Sequence, residues 1–156
     1  MNSPKEPDNV NFPITGSSSP RVQVSLRSIS LGDSVPIERL SPASLAYIGD
    51  AVYELYIRTH YLLPPKRLSS YHQQVVNQVR AESQAKQLCL LIPSLTELEL
   101  EVVRRGRNAT SKIPRRLSPE IYQQATALET LIGYLYIRDP QRLNELLVKL
   151  LINFLG

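Results

Sequence analysis

The stretch LAYIGDAVYEL, residues 45–55, decides how the chain is read. Leu45, Ile48, Val52 and Leu55 recur at the spacing of one helix face. Asp50 points to nearly the opposite side, where Ala43, Ala46, Tyr47, Tyr53 and Ile57 are also apolar or small. A helix apolar on both faces is expected to be buried, and aspartate is rarely buried without a partner. Glu54 cannot be that partner, because like charges one turn apart repel. Gly49, directly before Asp50, is a second oddity: a mid-helix glycine costs ~1 kcal/mol relative to alanine. Close approach of another helix would offset that cost.

A second stretch repeats the pattern. ATALETLIGYLYI, residues 125–137, has Glu129 as its sole charge, with Ala125 and Gly133 one turn away on either side. Each helix thus joins one carboxylate to an Ile-Gly pair, Ile48-Gly49 and Ile132-Gly133. If the two helices cross at their glycines, Asp50 and Glu129 come within reach of each other. Two such carboxylates repel unless a proton or a cation separates them. Oxygen donors suit Mg²⁺ or Mn²⁺. The competing arrangement is a salt bridge from each acid to an arginine on another helix.

Around these two helices the chain reads as all-α. Ser41-Pro42 gives an N-cap and a first-turn proline for a helix running to about Leu62, where Pro64 and Pro65 stop it. Tyr71, Val75 and Val79 predict a second helix from Leu68 or Ser69 towards Leu91, ended by Pro93. SLTE, residues 94–97, has the spacing of a capping box and opens a third helix, which Gly106 is expected to close. Ser118-Pro119-Glu120 opens a fourth, ending near Ile137. Asp139-Pro140 caps a fifth, with Leu143, Leu146, Leu147, Leu150 and Phe154 as its apolar stripe. No alternating β pattern occurs.

Residues 1–40 hold five of the 12 prolines, the low-complexity GSSSP and balanced charges, and are read as a disordered tail. Residues 41–156 are read as one domain, which carries the whole net charge of +4. At 42% hydrophobic and 21% charged, the composition is that of an ordinary globular protein. There is no membrane-length apolar run and no signal peptide pattern. The single cysteine, Cys89 in QLCLLI, excludes an internal disulfide and reads as a small buried apolar residue, in keeping with a reducing cytoplasm. His60 and His72 stand alone and suggest no zinc site.

RRGRNATSKIPRR, residues 104–116, carries six cations and no acid. It reads either as a solvated loop between the third and fourth helices or as a phosphate-binding segment. Arg104, Arg105, Arg107, Lys112, Arg115 and Arg116 would supply charge and Asn108 a further donor, and the run directly precedes the helix bearing Glu129.

YIGDAVYEL and ALETLIGYLY together resemble the two signature helices of the ribonuclease III catalytic domain, and RGRNA before the second is similar to its short bacterial branch, Mini-ribonuclease III. The resemblance covers about residues 41–150. It implies a homodimeric helical bundle that cleaves double-stranded RNA with Mg²⁺, for which Mn²⁺ can substitute, leaving 5′-phosphate and 3′-hydroxyl ends. It implies Asp50 and Glu129 as the catalytic, metal-binding acids. The longer enzymes carry two further acids, where this chain has Ala46 and Thr126, as in the short branch. They also carry a double-stranded-RNA-binding domain for which the chain has no room, so RNA grip would fall to the basic segment. The branch's association with 23S ribosomal RNA precursors gives the expected substrate. The alternative is a non-catalytic member of the fold that binds structured RNA or ribosomes without cutting.

Overall fold

The computed structural model describes residues 36–110 and 112–154, without the side chain of Phe154. Among the described residues there are six α-helices and no strand. They are α1 (Pro42–Tyr61), α2 (Leu68–Val79), α3 (Ala81–Leu91), α4 (Glu97–Asn108), α5 (Pro119–Arg138) and α6 (Pro140–Phe154).

Helix α5 is the hub, in contact with α1, α3, α4 and α6. Its contact with α1 is the most extensive in the bundle. The pair is antiparallel: Gly49 lies against the Glu129 backbone, whereas Gly133 lies against that of Leu45. A Cβ on Gly49 would collide with the Glu129 carbonyl oxygen and stand 2.8 Å from the Gly133 amide nitrogen. A Cβ on Gly133 would overlap the Leu45 carbonyl oxygen. The expected crossing at the glycines is therefore what the fold contains, and it accounts for both.

Most helix starts follow the sequence. The Ser41 hydroxyl accepts from the Ser44 amide at 3.1 Å, with Pro42 in the first turn. Asp139 accepts from the Arg142 amide at 3.0 Å and caps α6, whose Leu143, Leu146, Leu147 and Leu150 are fully buried. The Phe154 side chain, expected to complete this stripe, lies outside the described residues.

Four expectations are corrected. The single helix expected from Leu68 to Leu91 is two, broken at Arg80, whose ψ of 153° is extended. The bend lets α2 pack on α1 while α3 packs on α5, and the Arg80 carbonyl accepts from the Ser83 and Gln84 amides, both at 3.1 Å. The capping box sits two residues later than SLTE: Thr96 accepts from the Glu99 amide at 3.2 Å, and Glu99 accepts from the Thr96 amide at 2.9 Å. Gly106 does not close α4, which continues to Asn108; instead it is buried where a Cβ would stand 2.6 Å from Thr130 Oγ1. Cys89 is exposed, not buried.

Of residues 1–40, assigned to a tail, only 36–40 are described, and they are folded: Ile37, in the short 3₁₀ turn Ile37–Arg39, is 3% exposed. The turn packs on α5.

Candidate active site

Asp50 and Glu129 meet at the α1–α5 crossing. Glu129 is half-buried beneath it, and Asp50 follows the glycine that touches the Glu129 backbone. Burial first and then the Asp50 charge raise the Glu129 carboxyl to about 7, with the Gln84 side chain opposing both. Asp50 is also raised, first by its partial desolvation and then by Glu54 one turn on. A salt bridge to an arginine, the competing arrangement, is absent for both acids among the described residues.

One premise is corrected. Asp50 is exposed, because a strip drawn from both apolar faces of α1 is left uncovered. Leu45, Ala46, Val52, Tyr53, Tyr56 and Ile57 are buried, whereas Tyr47 is 86% and Leu55 55% exposed. Asp50 borders that open strip. Ala46 is buried one turn before it and Thr126 is half-buried one turn before Glu129, so neither adds a carboxylate.

The donor set suits a hard divalent cation and not zinc. Among the described residues no group of three or more His, Cys, Asp or Glu is placed around one metal position. His60 is half-buried with its pKa lowered by burial, its ring edge-on to Tyr61, and His72 is exposed. Mg²⁺ is commonly held by one or two carboxylates, with water and substrate phosphate completing its shell. Asp50 and Glu129 would supply two such carboxylates, and a bound divalent cation would offset the repulsion that, after burial, raises Glu129.

The basic segment is less of a loop than expected. Arg104, Arg105, Arg107 and Asn108 belong to the last two turns of α4, and Lys112, Arg115 and Arg116 to the connection into α5; all seven are exposed. Arg104 is already paired with Glu101, at 2.6 and 2.8 Å. No hydrogen bond or ion pair ties any of the seven to Asp50 or Glu129 among the described residues.

Sequence reasoning missed Gln84, buried on α3, whose side chain moderates the rise in the Glu129 pKa. It also missed a buried polar chain beside it, in which the Tyr53 hydroxyl donates to Gln87 Oε1 and Gln87 donates to Gln78 at 3.4 Å. A glutamine within a helical run carries no signal of its own; burial follows only from how α3 meets α5.

The chain is similar to proteins already known. The ribonuclease III domain profile matches residues 43–140. Mini-ribonuclease 3 of a Synechocystis species is 56% identical over 77% of this chain and 84% of its own. Those of a Synechococcus species and of Gloeobacter violaceus are 58% and 51% identical, covering 72% and 74% of this chain and 82% and 85% of theirs. Among solved structures, a crystal structure of a Fusobacterium nucleatum protein superposes with a TM-score of 0.71 at 29% identity, covering 79% of this chain and all of that one.

Proposed function

The chain belongs to the ribonuclease III family and is an endoribonuclease, and from that premise we propose that it cuts double-stranded RNA with a divalent cation, Mg²⁺ or Mn²⁺, held by Asp50 and Glu129. One observation carries the reading: the two acids share the glycine crossing, where the charge of one raises the pKa of the other.

The roles follow from the residues. Asp50, exposed, offers its carboxylate from the solvent side, while Glu129 offers its own from within the helix pair. A bound divalent cation would supply activation of water and stabilisation of the charge at the scissile phosphate. Without acids at Ala46 and Thr126, Asp50 and Glu129 must both be ionised for the site to be charged for its cation. Arg105, Arg107, Lys112, Arg115 and Arg116 would neutralise backbone phosphates, with Asn108 donating. Arg104 contributes less, because Glu101 holds it. Since A-form RNA conceals its base edges in a narrow major groove, recognition would follow shape and backbone. The products would be 5′-phosphate and 3′-hydroxyl ends.

A second copy is the proposed partner. The exposed apolar surface of α1 comprises Tyr47, one turn before Asp50, then Leu55 and, at the end of the helix, Leu62, 54% exposed. Burying it in a homodimer would place a second chain next to each site. Each site would then cut one strand. No described helix is long and apolar enough to cross a membrane, and the proposed setting is the cytoplasm, on stems of 23S ribosomal RNA precursors.

The test is cleavage of long double-stranded RNA with Mg²⁺ and with EDTA. Asp50→Asn and Glu129→Gln are each expected to abolish Mg²⁺-dependent cutting while RNA binding survives. Cutting that persists in both variants would remove these acids from the reaction. Binding without cutting by the native chain would favour the non-catalytic alternative.

A further inference from the structure

Gly106 lies among the cations of the basic segment, yet it is buried, because the end of α4 rests there on α5. A Cβ at this position would stand 2.6 Å from Thr130 Oγ1, 2.8 Å from Thr130 Cβ and 3.0 Å from Ala127 Cα. The last two atoms are fixed to the α5 backbone, so an added methyl fits only if one helix moves off the other. The Thr130 hydroxyl is itself held, donating to the Thr126 carbonyl at 2.8 Å, and Thr130 is 1% exposed. A glycine inside a helix costs ~1 kcal/mol relative to alanine, and close seating on α5 offsets it.

Thr130 directly follows Glu129, so the basic end of α4 rests one residue from a site acid. The residues on either side of a helical position point about 100° away from it. With Gly106 facing α5, Arg105 and Arg107 emerge on the two flanks of the contact. Both are exposed, and neither is in an ion pair among the described residues. Arg105 lines one cleft with Thr130 and with Pro42 and Leu45 of α1.

Building on the reading of Arg105 and Arg107 as phosphate contacts, we infer that Gly106 is a positioning residue: its missing side chain seats α4 on Thr130 and holds both arginines in fixed register with the helix that carries Glu129. A larger residue lifts them off the line of backbone phosphates while leaving their charge in place.

The experiment measures the affinity of the full chain for double-stranded RNA in EDTA across a range of salt. Gly106→Ala is expected to lower the slope of log affinity against log salt by about 1 to 2, roughly one for each arginine withdrawn. Adding Thr130→Gly to Gly106→Ala returns the space and should restore the slope, although a glycine in α5 leaves the fold less stable. Val75→Ala, a core truncation on α2, which does not pack on α4, is the destabilised control and should keep the native slope. Thr130→Ala removes the seat without inserting a methyl; it should lower the slope as well, and decides the matter if Gly106→Ala does not fold. A native slope in the deciding variant, an unrestored slope in the folded double variant, or an equal fall in Val75→Ala overturns the inference. Arg105→Glu with Arg107→Glu separates the two levels. A native slope there removes the phosphate reading itself, whereas a fall there beside a native slope in Gly106→Ala sinks only the positioning role.

Discussion

At the residue scale, the role proposed for Glu129 runs against stability. Its carboxyl, ordinarily near 4.5, is held at about 7 by burial and by Asp50. An acid whose folded pKa is raised binds a proton more tightly in the folded state. It therefore costs stability as pH climbs from the ordinary value through the raised one, and the full cost is present above about pH 7. In metal-free protein that cost is on the order of 2 kcal/mol. Glu129→Gln should accordingly melt several degrees above the native chain at pH 8 and level with it at pH 4, as read by scanning calorimetry in EDTA. Native melting at both pH values would show that Glu129 is not strained. The opposite sign holds at Glu99, which is 4% exposed and kept below the usual carboxylate range chiefly by its hydrogen bonds from Arg142, at 2.7 and 3.1 Å. That pair stabilises the fold above the ordinary carboxylate pKa and is lost as pH falls through the depressed one. Arg142→Ala should cost about 3 kcal/mol in urea unfolding at pH 7, because it leaves the buried Glu99 charge without its cation.

At the scale of elements, the α1–α5 crossing is the most demanding joint. Gly133→Ala must force its Cβ into the Leu45 carbonyl, a backbone atom that cannot rotate away. Its expected cost exceeds ~2 kcal/mol despite the better helix propensity of alanine, measurable as a lowered urea midpoint with an unchanged slope. A midpoint at or above the native one would mean that the helices stand further apart. This joint was legible in the sequence, since a mid-helix glycine beside a lone acid, occurring twice, points to two helices in close contact. The break at Arg80 was not, because neither proline nor glycine marks it and it exists only so that α2 and α3 can cover different helices. The capping box was ambiguous: Ser94 and Thr96 each have a glutamate three residues on. The tie is broken by Arg142, 43 residues later, which draws Glu99 into the core. Gly106 misled for a related reason, its closeness to Thr130 being a tertiary contact that resembles a helix stop in one dimension.

At the scale of the whole molecule, charge and exposed apolar surface were read with unequal success. The cations of the basic segment are exposed as expected, but its first five residues extend a helix, and one cation is spoken for. Reversing Arg105 and Arg107 to glutamate should therefore weaken double-stranded RNA binding and flatten its salt dependence, whereas Arg104→Glu should do so less. Equal slopes for all the variants would return the segment to mere solvation. The open strip of α1 escaped the sequence reading altogether, because in one dimension an exposed apolar helix surface looks the same as one facing the core. Tyr47→Asp with Leu55→Asp should shift the light-scattering mass from dimer to monomer without loss of helical circular dichroism; a native mass would move the interface elsewhere. The crossing also divides the site between two stretches of chain, Asp50 upstream of the 109–118 connection and Glu129 downstream. Opening that connection would yield two fragments with one carboxylate each, so RNA cutting would become a reporter of their reassembly, a split enzyme whose seam is already drawn.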